Sequence, residues 1–176
     1  GIRWVYCRGL RGALGPDGPS AESTCSFPHM REQLALAGAD FGQVVRTWIY
    51  INQITEGPEG GQRYQELNRA RTEFYQGLRF GTETRAPWIE GPLYPASTGI
   101  GTQGSHMTLC GMAMTSPRSD VFIVPLESPL QTAAYHYHAA YSPQSPKFSR
   151  AMAVVQGHFL TLLVSGTASI VDSKAV

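Results

Sequence analysis

The sequence predicts an α+β domain, a mixed or antiparallel sheet covered by two helices. Three observations carry this reading. Short apolar runs alternate at period two, while only two segments repeat at three and four residues. These segments follow one another as strand, helix, strand, helix, strand and then further strands. Finally, 19 glycines and 12 prolines punctuate a 176-residue chain that is 42% hydrophobic and only 15% charged, which excludes both disorder and a coiled coil or helical bundle.

Ile2, Trp4 and Tyr6 alternate within Gly1 to Leu10, so this segment reads as a strand. Gly12 to Ser26 is rich in glycine, proline and serine and reads as loop. Pro28 to Gly38 begins with a proline, places Met30, Leu34 and Ala37 on one face and ends in glycine, which predicts a helix. Phe41 to Ile51 is a strand with Val45, Thr47, Ile49 and Ile51 on one face and Arg46, Trp48 and Tyr50 on the other. After the turn Glu56 to Gly61, the segment Gln62 to Leu78 carries Tyr64, Leu67, Arg71, Phe74 and Leu78 in one helical stripe. Thr82 to Pro95 is loop, Ala96 to Gly104 follows it, with Ser97 to Gly101 by itself reading as a tight turn, and Met107 to Met114 is a strand. Val121 to Leu126 is a strand confined to an edge by Pro125. Beyond the Pro-rich connection Ser142 to Lys147, Phe148 to Val155 and Phe159 to Ser165 read as two strands joined at Gln156-Gly157.

Charge and composition remove several functions. Fourteen Lys and Arg against 13 Asp and Glu leave a net charge of +1, too little for phosphate neutralisation along a nucleic acid. The most apolar stretch, Ala151 to Gly166, is interrupted by Gln156, Gly157 and His158 and falls short of the ~18 residues of a membrane span. Cys7, Cys25 and Cys110 form no C-x-x-C pair and have no adjacent histidine or basic run, so packing in a reducing cytoplasm is expected rather than a disulfide framework or zinc site.

Arg71 stands out because an apolar stripe facing a core holds a guanidinium only with a partner. Two readings stay open: it snorkels or pairs with Glu66 or Glu73, or it clamps a ligand carboxylate together with Tyr64. In Ser97-Thr98-Gly99-Ile100-Gly101 the G-x-G spacing allows close backbone approach to a ligand, without the rest of a Walker or dinucleotide motif. Tyr135-His136-Tyr137-His138 reads as a half-buried strand edge, and no third ligand is spaced to make the histidines a metal site. Ser165 to Ser169 lacks the G-x-S-x-G elbow of a hydrolase, and no pair of acids shows general acid/base spacing.

Taken together, VRTWIYIN (Val45 to Asn52), Tyr64-x-x-Leu67-x-x-x-Arg71, PASTGIG (Pro95 to Gly101), the Tyr137 region, PKFSRA (Pro146 to Ala151) and LLVSGTASI (Leu162 to Ile170) resemble the chorismatase family. Chorismatases resemble two fused Rid (YjgF-like) modules, a fold close to the Bacillus-type chorismate mutase. The resemblance implies a first module over residues 1–126, a connector over 127–147 and, over 148–176, the opening hairpin of a second module that is cut short here. It implies loss of the enolpyruvyl group of chorismate as pyruvate, leaving a dihydroxycyclohexadiene carboxylate or a hydroxybenzoate. No cofactor and no metal are implied. Tyr64 and Arg71 would anchor one carboxylate of this dicarboxylate substrate, Arg150 the other, and Thr98, Gly99, Ile100 and Gly101 with Tyr137 would line the pocket. Leu109, Cys110 and Gly111 would steer the product. No position here matches the family's general-acid glutamate, so the proton donor is unassigned. The alternatives are a Rid-type imine deaminase or a catalytically silent Rid-like binding protein; the former uses an arginine where this chain has Pro95-Ala96-Ser97-Thr98. Rid modules trimerise, so a homo-oligomer belongs to the same set of expectations.

Overall fold

A computed structural model describes residues 1–12, 19–57, 61–103, 106–139, 143–166, 170–171 and 174–175, with only the backbone described for 19–23 and for the last two pairs. Strands β1 (Arg3–Leu10), β2 (Val44–Asn52), β3 (Ala96–Thr102) and β4 (Thr108–Thr115) form one sheet in the order β1-β4-β2-β3. Strands β2 and β3 run parallel, whereas β4 is antiparallel to β1 and β2, so the sheet is mixed as expected. Helices α1 (Pro19–Leu36) and α2 (Arg63–Tyr75) cover it. A second, antiparallel sheet has the order β5-β6-β7, from β5 (Val121–Leu126), β6 (Ala151–Gln156) and β7 (Phe159–Val164). β8 (Ile170–Val171) and β9 (Lys174–Ala175) pair with each other.

Burial explains the two helices. Phe27, Met30 and Leu34 of α1 are fully buried at spacings of three and four, and Leu67, Ala70 and Arg71 form the buried stripe of α2. The helices meet through aromatic rings: Phe27 stacks on Phe74 at 5.5 Å, and Phe41 meets Phe74 edge-on at 4.9 Å. Gly111 of β4 lies under Met30, where a β-carbon would collide with the thioether, so this glycine brings α1 down onto the sheet.

Several expectations need correction. The segment Gly12 to Ser26 is not all loop: α1 starts at Pro19, residues 13–18 lie outside the described set, and the helix passes through Pro28 instead of beginning there. Burial of Phe27 against Phe74 and Tyr75 of α2 outweighs the missing N–H of Pro28. Phe41–Gln43 is a 3₁₀ turn capped by Asp40, so the strand begins at Val44. Helix α2 ends at Tyr75, before Gly77, whose φ of 76° leaves the helical region. Ala96 to Thr102 is a strand rather than a turn, and Ala134–His136 is a 3₁₀ turn rather than a strand edge. Strand β6 starts at Ala151, and the β6–β7 turn is centred on Gly157-His158, where Gly157 takes φ 57°. β5 does occupy a sheet edge, which accommodates Pro125, but it pairs with β6 and so belongs to the second sheet. Cys25 is exposed, not packed, and all three cysteines are free.

Tyr75 supplies the first prediction. Burial pushes its hydroxyl up from 10.0 to about 12; the nearby Arg71 charge opposes this rise and Tyr94 adds to it. The folded state therefore holds this proton more tightly than the unfolded chain, which ionises first. The contribution is complete below pH 10 and is lost as pH climbs toward about 12, for a total of ~3 kcal/mol. Urea unfolding across that window should show the decline, and Tyr75→Phe should flatten it.

Candidate anion-binding cavity

A cavity of about 260 Å³ opens where the α2 N-terminus, β3 and the lead into β6 converge. Its wall includes Tyr64, Gly99, Tyr137, Phe148, Arg150 and Gly166. The glycines are there for space: a β-carbon on Gly99 would sit 3.1 Å from the Tyr64 ring, and one on Gly166 would sit 2.5 Å from Thr98. A serine relay holds the two sheets together at this point. Ser165 Oγ accepts the Ser97 backbone N–H at 2.8 Å and donates to the Ser149 carbonyl at 2.6 Å, while the Gly166 N–H donates to Thr98 Oγ1 at 2.8 Å. An Ala96–Ser149 bridge continues that joint.

Around Phe148 the electrostatics are one-sided. The Arg150 guanidinium lies 5.6 Å from the Phe148 ring centre on its way to the cavity, donates to Tyr137 Oη at 2.5 Å and to the Thr132 carbonyl at 3.2 Å, and leaves a buried Nε without a partner. Arg71 is 5.9 Å from the same ring, 1% exposed, and donates to Asn68 Oδ1 at 2.5 Å and Ser97 Oγ at 3.4 Å; its Nε also has no partner. Lys147 donates to Ser145 Oγ at 2.7 Å, and burial, with the Arg71 charge adding to it, holds its ammonium below the usual lysine range. A third buried arginine, Arg46, donates to Thr98 Oγ1 at 2.5 Å and lies 4.6 Å from the Trp48 ring centre; burial lowers it to about 10. Among the described residues no carboxylate forms an ion pair with Arg46, Arg71 or Arg150. Buried cations without carboxylates are costly unless an anion joins them.

A larger depression of about 430 Å³ is bordered by Tyr75, Arg79, Arg85 and Tyr94. It is the weaker candidate, because Arg85 is already committed to the carbonyls of Ile89 and Gly91 and Arg79 is exposed.

Of the residues singled out in the sequence, Tyr64, Gly99, Tyr137 and Arg150 share the cavity wall. Arg71 shares the Phe148 ring with Arg150 but is not on that wall, and neither snorkels nor pairs with Glu66 or Glu73. Thr98 accepts from Arg46 instead of lining the cavity; Ile100 pairs with Tyr50, and Gly101 lies under Ile54. Leu109, Cys110 and Gly111 belong to β4, away from this wall, with Gly111 under Met30. Phe148, Lys147 and the Ser97–Ser149–Ser165 relay were missed. The one sequence signal for them was the basic-aromatic run Lys147-Phe148-Ser149-Arg150. Among the described residues no group of three His, Cys, Asp or Glu side chains is placed to hold a metal. No described helix is long and apolar enough to cross a membrane.

No protein-family model matches this chain. A 3-hydroxybenzoate synthase of Streptomyces hygroscopicus is 31% identical over 97% of the chain and 47% of its own length. A chorismatase of the same organism is 29% identical over 100% of the chain and 48% of its own length. Over nearly its whole length the chain is similar to chorismatases. It spans about half the length of the curated chorismatase-family relatives it matches. A chorismatase crystal structure superposes with a TM-score of 0.68 over 99% of this chain and 47% of that one, at 23% identity, which establishes the chorismatase fold for these two sheets and two helices.

Proposed function

We propose that this chain supplies the carboxylate-binding wall of an enzyme that removes the enolpyruvyl group of chorismate as pyruvate, yielding a dihydroxycyclohexadiene carboxylate or a hydroxybenzoate. The observation that carries the reading is Arg150, a buried residue on a cavity wall with an unpartnered Nε and, among the described residues, no carboxylate in ion-pair contact. The names of the relatives, 3-hydroxybenzoate synthase and chorismatase, support the same substrate. Chorismate carries two carboxylates. In this reading one meets Arg150 and Tyr137, and the field of Arg71 and Lys147 behind Phe148 favours the second negative charge.

The chemistry begins with a proton delivered to the methylene carbon of the enol ether, which leaves an oxocarbenium at the adjacent carbon. Water adds to that carbon and the hemiketal collapses to pyruvate and the dihydroxycyclohexadiene carboxylate; alternatively a ring hydroxyl attacks the ring carbon that bears the ether, the ring C–O bond breaks with pyruvate as leaving group, and proton loss gives the hydroxybenzoate. The cavity wall offers one guanidinium, hydroxyls and three aromatic rings but no carboxylic acid. The acid is therefore assigned to the part of the protein that the relatives carry in addition. β7 supports that division: it is an edge strand with Phe159, Leu160, Leu162 and Val164 exposed, a seat for the next strand of a second Rid-like module that begins with the second sheet. Three free cysteines suit a reducing cytoplasm.

The test is pyruvate release from chorismate, measured on the protein and on a version extended to the length of the relatives. Release by the longer chain supports the reading, and release by neither contradicts it. Gly99→Val gives a sharper check, since its side chain pushes into Tyr64 at the cavity wall; KM for chorismate should rise about tenfold or more, with kcat less affected. Imine hydrolysis is disfavoured by Ser97-Thr98 at the position where the Rid arginine belongs.

A further inference from the structure

Glu127 follows β5 directly, and the antiparallel pair Leu126–Ala151 places it opposite Arg150. Both of its carboxylate oxygens are shielded from solvent and neither has a hydrogen-bond partner. They face the Ser149 hydroxyl, which is also buried and unpartnered, and the backbone N–H of Arg150, within electrostatic range of the Arg150 guanidinium. An acid, a hydroxyl and a guanidinium Nε are thus gathered behind the cavity wall, close enough to act on one another but without a hydrogen bond of normal geometry. An arrangement of that kind in a folded protein calls for an explanation.

We propose that Glu127 is a positioning residue, an internal counterion that competes with a bound carboxylate for Arg150, so that anion binding in the cavity is coupled to proton uptake at Glu127. The proposal rests on reading the cavity as a carboxylate site. Burial raises the Glu127 carboxyl above the usual glutamate range, and the Arg150 N–H, the Arg150 charge and the Ser149 hydroxyl pull it part of the way back. A carboxylate brought to Arg150 cancels part of that pull, and Glu127 answers by taking up a proton. The other groups gathered here are Tyr137, hydrogen-bonded to Arg150, and Tyr135, whose hydroxyl is raised by burial first and then by Glu127 and Tyr94. With Glu127 protonated, Arg150 presents its full charge to the ligand, so affinity is highest below the Glu127 titration and falls as pH rises through it.

The experiment is calorimetric binding of chorismate from about pH 5 to about pH 8, in two buffers of different ionisation enthalpy, for the protein, Glu127→Gln and Ser149→Ala. The wild type should take up a proton on binding and lose about tenfold in affinity across the range, an effect equal to one unit of coupled pKa shift. Glu127→Gln keeps the shape without the charge. It should bind at the alkaline end as tightly as the wild type does at the acid end, without proton uptake. Ser149→Ala removes one of the pulls on the carboxyl and should move the midpoint to higher pH. Identical pH slopes in wild type and Glu127→Gln would overturn the proposal. If the wild type does not bind chorismate, the substrate reading falls on its own. Benzene-1,3-dicarboxylate in the same titration then decides on Glu127, since a pH slope that Glu127→Gln removes supports the coupling and one that it leaves in place overturns it.

Discussion

Arg150→Gln is expected to lower kcat/KM for pyruvate release from chorismate by at least about a hundredfold. Arg150 is 8% exposed, its guanidinium lies near the Phe148 and Tyr137 rings, and it is the one arginine on the cavity wall. Truncating one partner of a desolvated charge pair costs roughly 3–5 kcal/mol, and each 1.4 kcal/mol is a factor of about ten. Glutamine retains a donor for the Thr132 carbonyl and Tyr137 Oη, so folding should be little disturbed and the loss should appear in kinetics, not in melting temperature. Arg150→Lys is expected to fall between the two. It keeps the charge but loses the planar fork and the contact with the rings. Steady-state kinetics paired with thermal melts check all three proteins.

Arg71→Met is expected to separate stability from function. The Arg71 guanidinium is 1% exposed, without a carboxylate, and held only by Asn68 Oδ1 and Ser97 Oγ. Replacing a buried charge with an apolar side chain of similar volume is often neutral or stabilising by about 1–4 kcal/mol, so the melting temperature should hold or rise. Turnover should move the other way. Removing one of the cations grouped around Phe148 weakens the field that favours a dianionic ligand, and kcat/KM should drop by about tenfold or more. A variant that is both less stable and fully active would show Arg71 to be a packing residue.

What was legible in the sequence was periodicity. β1, β2, α2 and β5 came from alternation or a 3.6-residue stripe, and the mixed sheet followed from their order. The start of α1 was not legible, because Pro28 has the local signature of a first helical turn while the decisive term is distant, the burial of Phe27 against Phe74 and Tyr75. β3 was hidden for a related reason. Thr98-Gly99-Ile100-Gly101 carries turn residues, yet its glycines make room for Tyr64 and Ile54 within a strand. For the site, Arg71 was visible as a cation in an apolar stripe, Tyr137 as a member of the Tyr135-to-His138 cluster, and Arg150 only through the family resemblance. Phe148 and Lys147 had only the basic-aromatic run Lys147 to Arg150 as a signal and Glu127 had none, since their roles arise where the Pro146-to-Arg150 segment crosses β3 and the end of β5.

The most direct measurement is a crystal structure of the protein with chorismate or benzene-1,3-dicarboxylate bound. A carboxylate within hydrogen-bonding distance of Arg150 and Tyr137, with the ring against Phe148 and Gly99, is the predicted result. Density for the ligand in the Tyr75–Tyr94 depression, with the Arg150 cavity filled by water alone, would contradict the account.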